Sequence, residues 1–240
     1  LLAATAVKDW LAENEIVARV RYYGCPAEEG GAAKAYMARD GLFDDVDAAI
    51  SWHPSTFNAV QHGHSLANSR IDFTFHGKAA HAAAAPQLGR SALDACELMN
   101  VGVNYLREHM PDSARVHYAY LDAGGVAPNV VQAKATVRQL VRAADLDTLR
   151  DLVLRVRSIG DGAAMMTGTT VETKVYSGVS NLVGNRPLEE TMQREFEKLG
   201  PVPFEADDAS LANDIRKTLT KDDIIASFQR IGLETPEDLP

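Results

Sequence analysis

Disulfides, basic stripes and membrane-length apolar runs are all missing from this sequence, and each absence removes a class of protein. Cys25 and Cys96 are its only cysteines, too few for a disulfide framework or a zinc ribbon and suited to a reducing cytoplasm. Lys and Arg number 24 against 33 Asp and Glu, for a net charge of -9. That leaves no cationic excess to hold a nucleic-acid backbone. No apolar stretch approaches the about 20 residues of a membrane helix, and the start lacks the basic-then-apolar order of a signal peptide. There is no phosphate-binding glycine loop either. What is there, 240 residues with 46% hydrophobic and 24% charged, suits one large globular domain or two modest ones.

The first 65 residues alternate helical and strand patterns. Leu1, Leu2, Ala6, Val7, Trp10 and Leu11 share one stripe of a helix reaching about Asn14, and Ile16 to Tyr23 reads as an apolar strand. A second helix spans about Gly30 to Arg39 and stops at Gly41, and Ala48 to Trp52 reads as a short strand ending at His53. This order predicts a parallel sheet covered by helices, with functional groups beyond the carboxyl ends of its strands.

From Asn68 the pattern changes. Ile71, Phe73 and Phe75 alternate with polar neighbours, and a helical stripe runs from Leu88 to Leu106. Val116 to Tyr120 and Ala133 to Val141 alternate as two more strands. A helix capped by Asp145 carries Leu146 to Val156, and Val171 to Val175 closes the block. The order βαββαβ is the ferredoxin-like unit. Residues 188–232 return to helical patterns, so the small block is inserted into a larger one. The fold class expected is α/β: a partial parallel-sheet core from 1–66 and 180–240, interrupted by a ferredoxin-like domain over 67–179. Leu1 opens in mid-helix and the end has no finishing element, which reads as a segment of a longer protein.

The chemistry centres on Glu28 and Glu29, in Tyr-Tyr-Gly-Cys-Pro-Ala-Glu-Glu-Gly-Gly, and on His53, in Ser-Trp-His-Pro. One carboxylate and one imidazole can hold a divalent metal, and the neighbouring carboxylate can take a proton from an attacking water. Adjacent acids at a helix start are also what the helix dipole stabilises, and a strand-end histidine can simply bond to backbone. His62 and His64, in Gln-His-Gly-His, lie in the polar link to the inserted domain and read as a solvated hinge loop.

His81 sits among small residues in His-Gly-Lys-Ala-Ala-His-Ala-Ala-Ala-Ala-Pro, where backbone can pass close to a substrate or another chain; it could donate to an oxyanion. Asn129 could bond its own backbone or present its amide to a ligand. Arg138 and Arg142 share a strand face, and either could fork a carboxylate. Cys25 beside the acids raises a nucleophile reading, but a buried structural cysteine is the commoner case.

Pro26-Ala27-Glu28-Glu29-Gly30-Gly31, Trp52-His53-Pro54, Gly77 to Ala83, and Gly124 to Val131 with Arg142 thirteen residues beyond Asn129 occur in order. Together they resemble the metal-dependent amidohydrolases and exopeptidases of the aminoacylase and glutamate-carboxypeptidase group. Within it they are similar to the indole-acetyl-amino-acid and p-aminobenzoyl-glutamate hydrolases. The resemblance implies hydrolysis of the amide of a small N-acyl amino acid, p-aminobenzoyl-glutamate first among them, in the cytoplasm and away from membrane and nucleic acid. It implies Glu28 as general base and Glu29 and His53 as ligands of two divalent metal ions, Zn²⁺ or Mn²⁺. His81 would reach a partner subunit's site, and Asn129 and Arg142 would hold substrate. It further implies a homodimer through the inserted domain, or assembly with a second related subunit. The family's upstream histidine and cysteine ligands and its late histidine are not in this chain; two ligands cannot make a competent two-metal site, so the segment alone is expected to be inactive. Another N-acyl-amino-acid amidohydrolase and a non-catalytic dimerisation module are the alternatives.

Overall fold

Alternation decides the sheet. In β1 (Ala67–His76) the side chains of Ile71, Phe73 and Phe75 are fully buried, while Arg70, Asp72 and Thr74 line the other face. The same holds in β3 (Lys134–Ala143), where Ala135, Val137, Gln139 and Val141 point inward. β2 (Arg115–Asp122) and β4 (Thr170–Val179) complete a four-stranded antiparallel sheet in the order β2-β3-β1-β4. Phe73 pairs with Val137 across β1 and β3, so apolar residues stack in register along the inner face.

Two helices cover that face. One (Ala92–Leu106, α3) turns Ala95, Cys96, Met99 and Val103 inward and is capped by Ser91, whose hydroxyl accepts from the Asp94 amide at 3.1 Å. The other (Leu146–Thr167, α4) is capped by Asp145, which accepts from the Thr148 amide at 2.8 Å, and ends at Gly168 with φ +65°. They approach closely because a Cβ on Gly102 would come 2.6 Å from Ile159, and one on Gly160 would come 3.0 Å from the Phe73 ring. The result is the βαββαβ unit that the alternation predicts, with strand order and one-sided helices both as in the ferredoxin-like fold.

Burial pushes the Cys96 thiol up to about 12, because a thiolate would be stranded among apolar neighbours. Raising that value keeps the group protonated at neutral pH. Cys96 is therefore expected to resist a thiol reagent in the native protein and to react at the rate the sheet unfolds, whereas half-buried Cys25 reacts first. Timed thiol titration with and without urea checks this.

The structure, a computed structural model, describes residues 1–55, 57–60, 65–229 and 234–235. His62 and His64, read above as a hinge loop, lie outside the described residues. The chain divides into two compact units, Leu1–Asp47 with Leu66–Asn181 and Ala48–Ser65 with Leu182–Pro240. In the first, α1 (Leu2–Glu13) and α2 (Ala33–Arg39) precede the sheet. In the second, α5 (Arg186–Leu199), α6 (Ala206–Arg216) and α7 (Lys221–Gln229) follow it. There the Phe57 and Phe228 rings meet edge-on at 4.9 Å, and the Ser65 hydroxyl accepts from the Leu182 amide.

The expected parallel core does not appear. Ile16 to Tyr23 and Ala48 to Trp52 have no ladder partner, and every strand pair among the described residues is antiparallel. A β pattern becomes a strand only when a neighbour supplies its hydrogen bonds. Ile16 to Tyr23 is fixed otherwise: Arg21 forms an ion pair with Asp45, the Tyr23 hydroxyl donates to the Leu42 carbonyl at 2.7 Å, and Tyr23 meets Phe43 edge-on. The second helix begins at Ala33 rather than Gly30, because the backbone before it is left-handed at Ala32.

Candidate active site

Glu28 and Glu29 occupy a tight turn held at both ends by strained backbone. Ala27 and Ala32 have φ of +50° and +53°, a left-handed conformation that costs an alanine roughly 1–2 kcal/mol. The Ala27 carbonyl accepts from the amides of Gly30, Gly31 and Ala32 at 3.3, 2.9 and 3.0 Å. Gly31 keeps this turn close, since a Cβ there would come 3.1 Å from that of Ala27. Strain that persists next to two exposed carboxylates is a pattern of functional sites. Glu28 stays solvent-accessible with Lys34 at 3.8 Å, an exposed pair worth little for stability. Cys25 directs its thiol at the Tyr23 carbonyl, and no histidine among the described residues meets it.

The turn lies against the open face of the sheet. One guanidinium nitrogen of Arg70, in β1, donates to the carbonyls of Glu29 and Gly30 at 3.0 and 2.9 Å. Beside it Arg138 forks Asp72 at 2.6 and 2.9 Å and stacks 4.0 Å from the Tyr176 ring centre. Of the two arginines on this strand face, Arg138 is therefore engaged. Arg142 is not: its Nε is buried with no partner, and no hydrogen bond or ion pair of this side chain is found among the described residues. An unsatisfied buried donor costs about 1–3 kcal/mol, which a bound carboxylate would remove. Arg142 pairs with Asn68 on β1, so Arg70 is its diagonal neighbour on the same face, about 7–8 Å away.

His81 and Asn129 meet each other elsewhere. Past the strand ends the β1–β3 pairing continues: Gly77 donates to Ala133, Val131 to Ala80, and Ala82 to the Asn129 carbonyl at 2.9 Å, with His81 bridged to Val130. The return of the loop depends on Gly77, where a Cβ would lie 2.0 Å from the Arg90 carbonyl oxygen. The amides of Ala83 and Ala84 point at His81 Nδ1, at 3.3 and 3.1 Å. Nδ1 is thus the acceptor, and the neutral ring carries its proton on Nε2, free to donate. The Asn129 side chain is exposed, open to a ligand.

The sheet brings Glu28, Glu29 and Arg142 to one end and His81 and Asn129 to the other. His76 pairs with Lys134 and Asn68 with Arg142, eight steps of about 3.4 Å, so the two ends stand roughly 27 Å apart. His53 belongs to the other unit, exposed, with Nδ1 2.8 Å from the Pro54 carbonyl. Among the described residues no three His, Cys, Asp or Glu side chains gather as a metal site. The donors gathered among the described residues therefore do not by themselves fit a two-metal centre. Reading the sequence alone missed Arg70, Asp72 and Tyr176; the opposite charges of Arg70 and Asp72 at alternate positions of β1 were the available signal.

The site is thus a glutamate pair on a strained turn tied to Arg70, with Arg142, whose Nε has no partner among the described residues, on the same sheet face. No protein-family model matches the chain. It is 46% identical over 230 residues to one of the subunits of p-aminobenzoyl-glutamate hydrolase of Escherichia coli, covering 96% of this chain and 48% of that protein. It is 32% identical to the mouse Xaa-Arg dipeptidase, over 80% of this chain and 44% of the dipeptidase. Among solved structures, it resembles an aminobenzoyl-glutamate utilization protein from Klebsiella pneumoniae with TM-score 0.55 and 20% identity, over 82% of this chain and 50% of that one. The chain belongs to the amidohydrolase and peptidase family of these relatives, and it spans about half the length of the curated relatives it matches.

Proposed function

We propose that the whole protein hydrolyses the amide bond of an N-acyl amino acid, with p-aminobenzoyl-glutamate as its substrate. The observation that carries this reading is Arg142, half-buried with no partner for its Nε among the described residues, on the face where the Glu28–Glu29 turn sits. An arginine fork suits the carboxylate that every N-acyl amino acid carries beside its amide. Glu28 takes the proton of the attacking water and returns it to the leaving nitrogen. Nε2–H of His81 and the amide of Asn129 stabilise the oxyanion formed on the carbonyl. Two divalent metal ions, Zn²⁺ or Mn²⁺, belong to the whole protein in this reading, with Glu29 and His53 as two of their ligands, and these 240 residues alone are expected to be inactive. Two free cysteines suit a cytoplasmic setting.

The separation of about 27 Å along the sheet exceeds the length of a small N-acyl amino acid. His81 and Asn129 therefore serve a site whose Glu28 and Arg142 come from a second copy, which makes the inserted domain of 67–179 the dimerisation domain and 1–66 with 180–240 the catalytic one. Two features favour that face. β2 is an edge strand with an unpaired side, and α3 beside it leaves Leu98, Val101 and Tyr105 exposed at helical spacing. Assembly with a related subunit in place of a second copy is a variant of this reading, since the Escherichia coli relative is itself one of the subunits of its hydrolase.

Activity of the full gene product against p-aminobenzoyl-glutamate, with metal content measured alongside, tests the reaction. Subunit mixing tests the sharing: His81→Ala and Arg142→Ala proteins, each inactive, are expected to regain up to about a quarter of the activity when unfolded and refolded together, since random pairing makes half the dimers mixed and each mixed dimer has one intact site. No recovery in a mixture that forms dimers overturns the shared site.

A further inference from the structure

We propose that Arg70 is a positioning residue for the Glu28–Glu29 turn, acting through the backbone carbonyls of Glu29 and Gly30. The inference rests on Glu28 being the base of the proposed reaction. The turn has little else to hold it. Its ends are left-handed alanines, and the helix after it has 7 residues. Its inner bonds all converge on the one carbonyl of Ala27. That arrangement gives the turn a shape but not a direction, since nothing within it refers to the rest of the molecule. Arg70 supplies that reference with two hydrogen bonds of 3.0 and 2.9 Å from one nitrogen.

The anchor is itself fixed. Arg70 belongs to the central strand pair of the sheet, and its neighbours on the open face are the Asp72–Arg138 fork and Tyr176 stacked on Arg138. A Cβ on Gly30 would stand 4.0 Å from the Tyr176 hydroxyl, so the turn rests on this platform as well as being tied to it. Two diagonal positions of one rigid sheet then set the distance between the base and the carboxylate-holding Arg142. Arg70 works as a spacer between amide and carboxylate and touches neither. A lysine cannot reproduce it, since an ammonium is a point donor on a flexible stem, while the guanidinium holds a planar geometry.

The test uses the full gene product carrying Arg70→Ala, Arg70→Lys or Glu28→Gln. With p-aminobenzoyl-glutamate, Arg70→Ala is expected to lower kcat about a hundredfold, the effect of an ångström-scale misplacement, with KM within about twofold. Arg70→Lys should recover only part of the loss. A readout independent of turnover accompanies it: amide hydrogen exchange across residues 26–32 becomes faster in Arg70→Ala while exchange in the rest of β1 is unchanged. An unaltered kcat and unaltered exchange in the turn overturn the inference, as does a loss of kcat matched by global loosening of β1. A dead Glu28→Gln beside a fully active Arg70→Ala removes only the spacer role. An active Glu28→Gln removes the base on which it rests, and exchange at the turn then still reports whether Arg70 anchors it.

Discussion

Glutamine in place of Glu28 is expected to lower kcat about a thousandfold, within the 10²–10⁴ range of general acid–base catalysis, while KM changes little. The substitution keeps shape and length. The backbone that shapes the turn, with Ala27 accepting three amides and Arg70 bonded to Glu29 and Gly30, does not involve the Glu28 side chain. What is lost is the ability to accept a proton, and only a step that transfers one should notice. Glu29→Gln is the informative comparison. As a proposed metal ligand, its loss should lower bound metal and activity together, and excess metal should restore part of the rate. Steady-state kinetics with metal analysis on both variants separates the two roles. A Glu28→Gln protein retaining a tenth of the wild-type kcat would show that the base lies elsewhere.

The largest effect on stability is expected at Phe73, which is fully buried on β1 beneath both helices. Phe73→Ala should cost about 3–5 kcal/mol, a large share of what holds a domain of this size. Gly160 makes the prediction sharper. Its missing Cβ is what lets the Phe73 ring sit 3.0–3.1 Å from where that atom would be. Gly160→Ala alone therefore overpacks the core and destabilises. In the Phe73→Ala background the same change fills part of the cavity and gains helix propensity, so it should stabilise. Urea unfolding of the four proteins gives a coupling energy, and strictly additive effects would mean that the two residues do not share the space.

The ferredoxin-like unit was legible because each of its elements states its own period. Alternation of Ile71, Phe73 and Phe75 specifies a two-faced strand whatever lies beside it, and Asp145 and Ser91 mark their helix starts locally. Ile16 to Tyr23 and Ala48 to Trp52 show the limit. Their composition is that of strands, yet a strand exists only in a ladder, and the ladder depends on segments far away in sequence. The site divides in the same way. The Glu-Glu turn and its Gly-Gly could be recognised as unusual, but the left-handed residues proved to be Ala27 and Ala32, which no propensity would select.

By itself, then, the sequence determined which residues offer a carboxylate, an imidazole or a guanidinium and which faces of the βαββαβ block are apolar, since charge, ring nitrogen and side-chain period belong to the residues themselves. Only the tertiary structure decided between Arg138 and Arg142, because the register that gives Asp72 to one leaves the other without a partner among the described residues. It also decided that Arg70 faces the glutamate turn and that His81 stands at the far end of the sheet from Arg142. Distances between residues far apart in the chain follow from strand pairing and packing, and these are settled only when the whole chain folds.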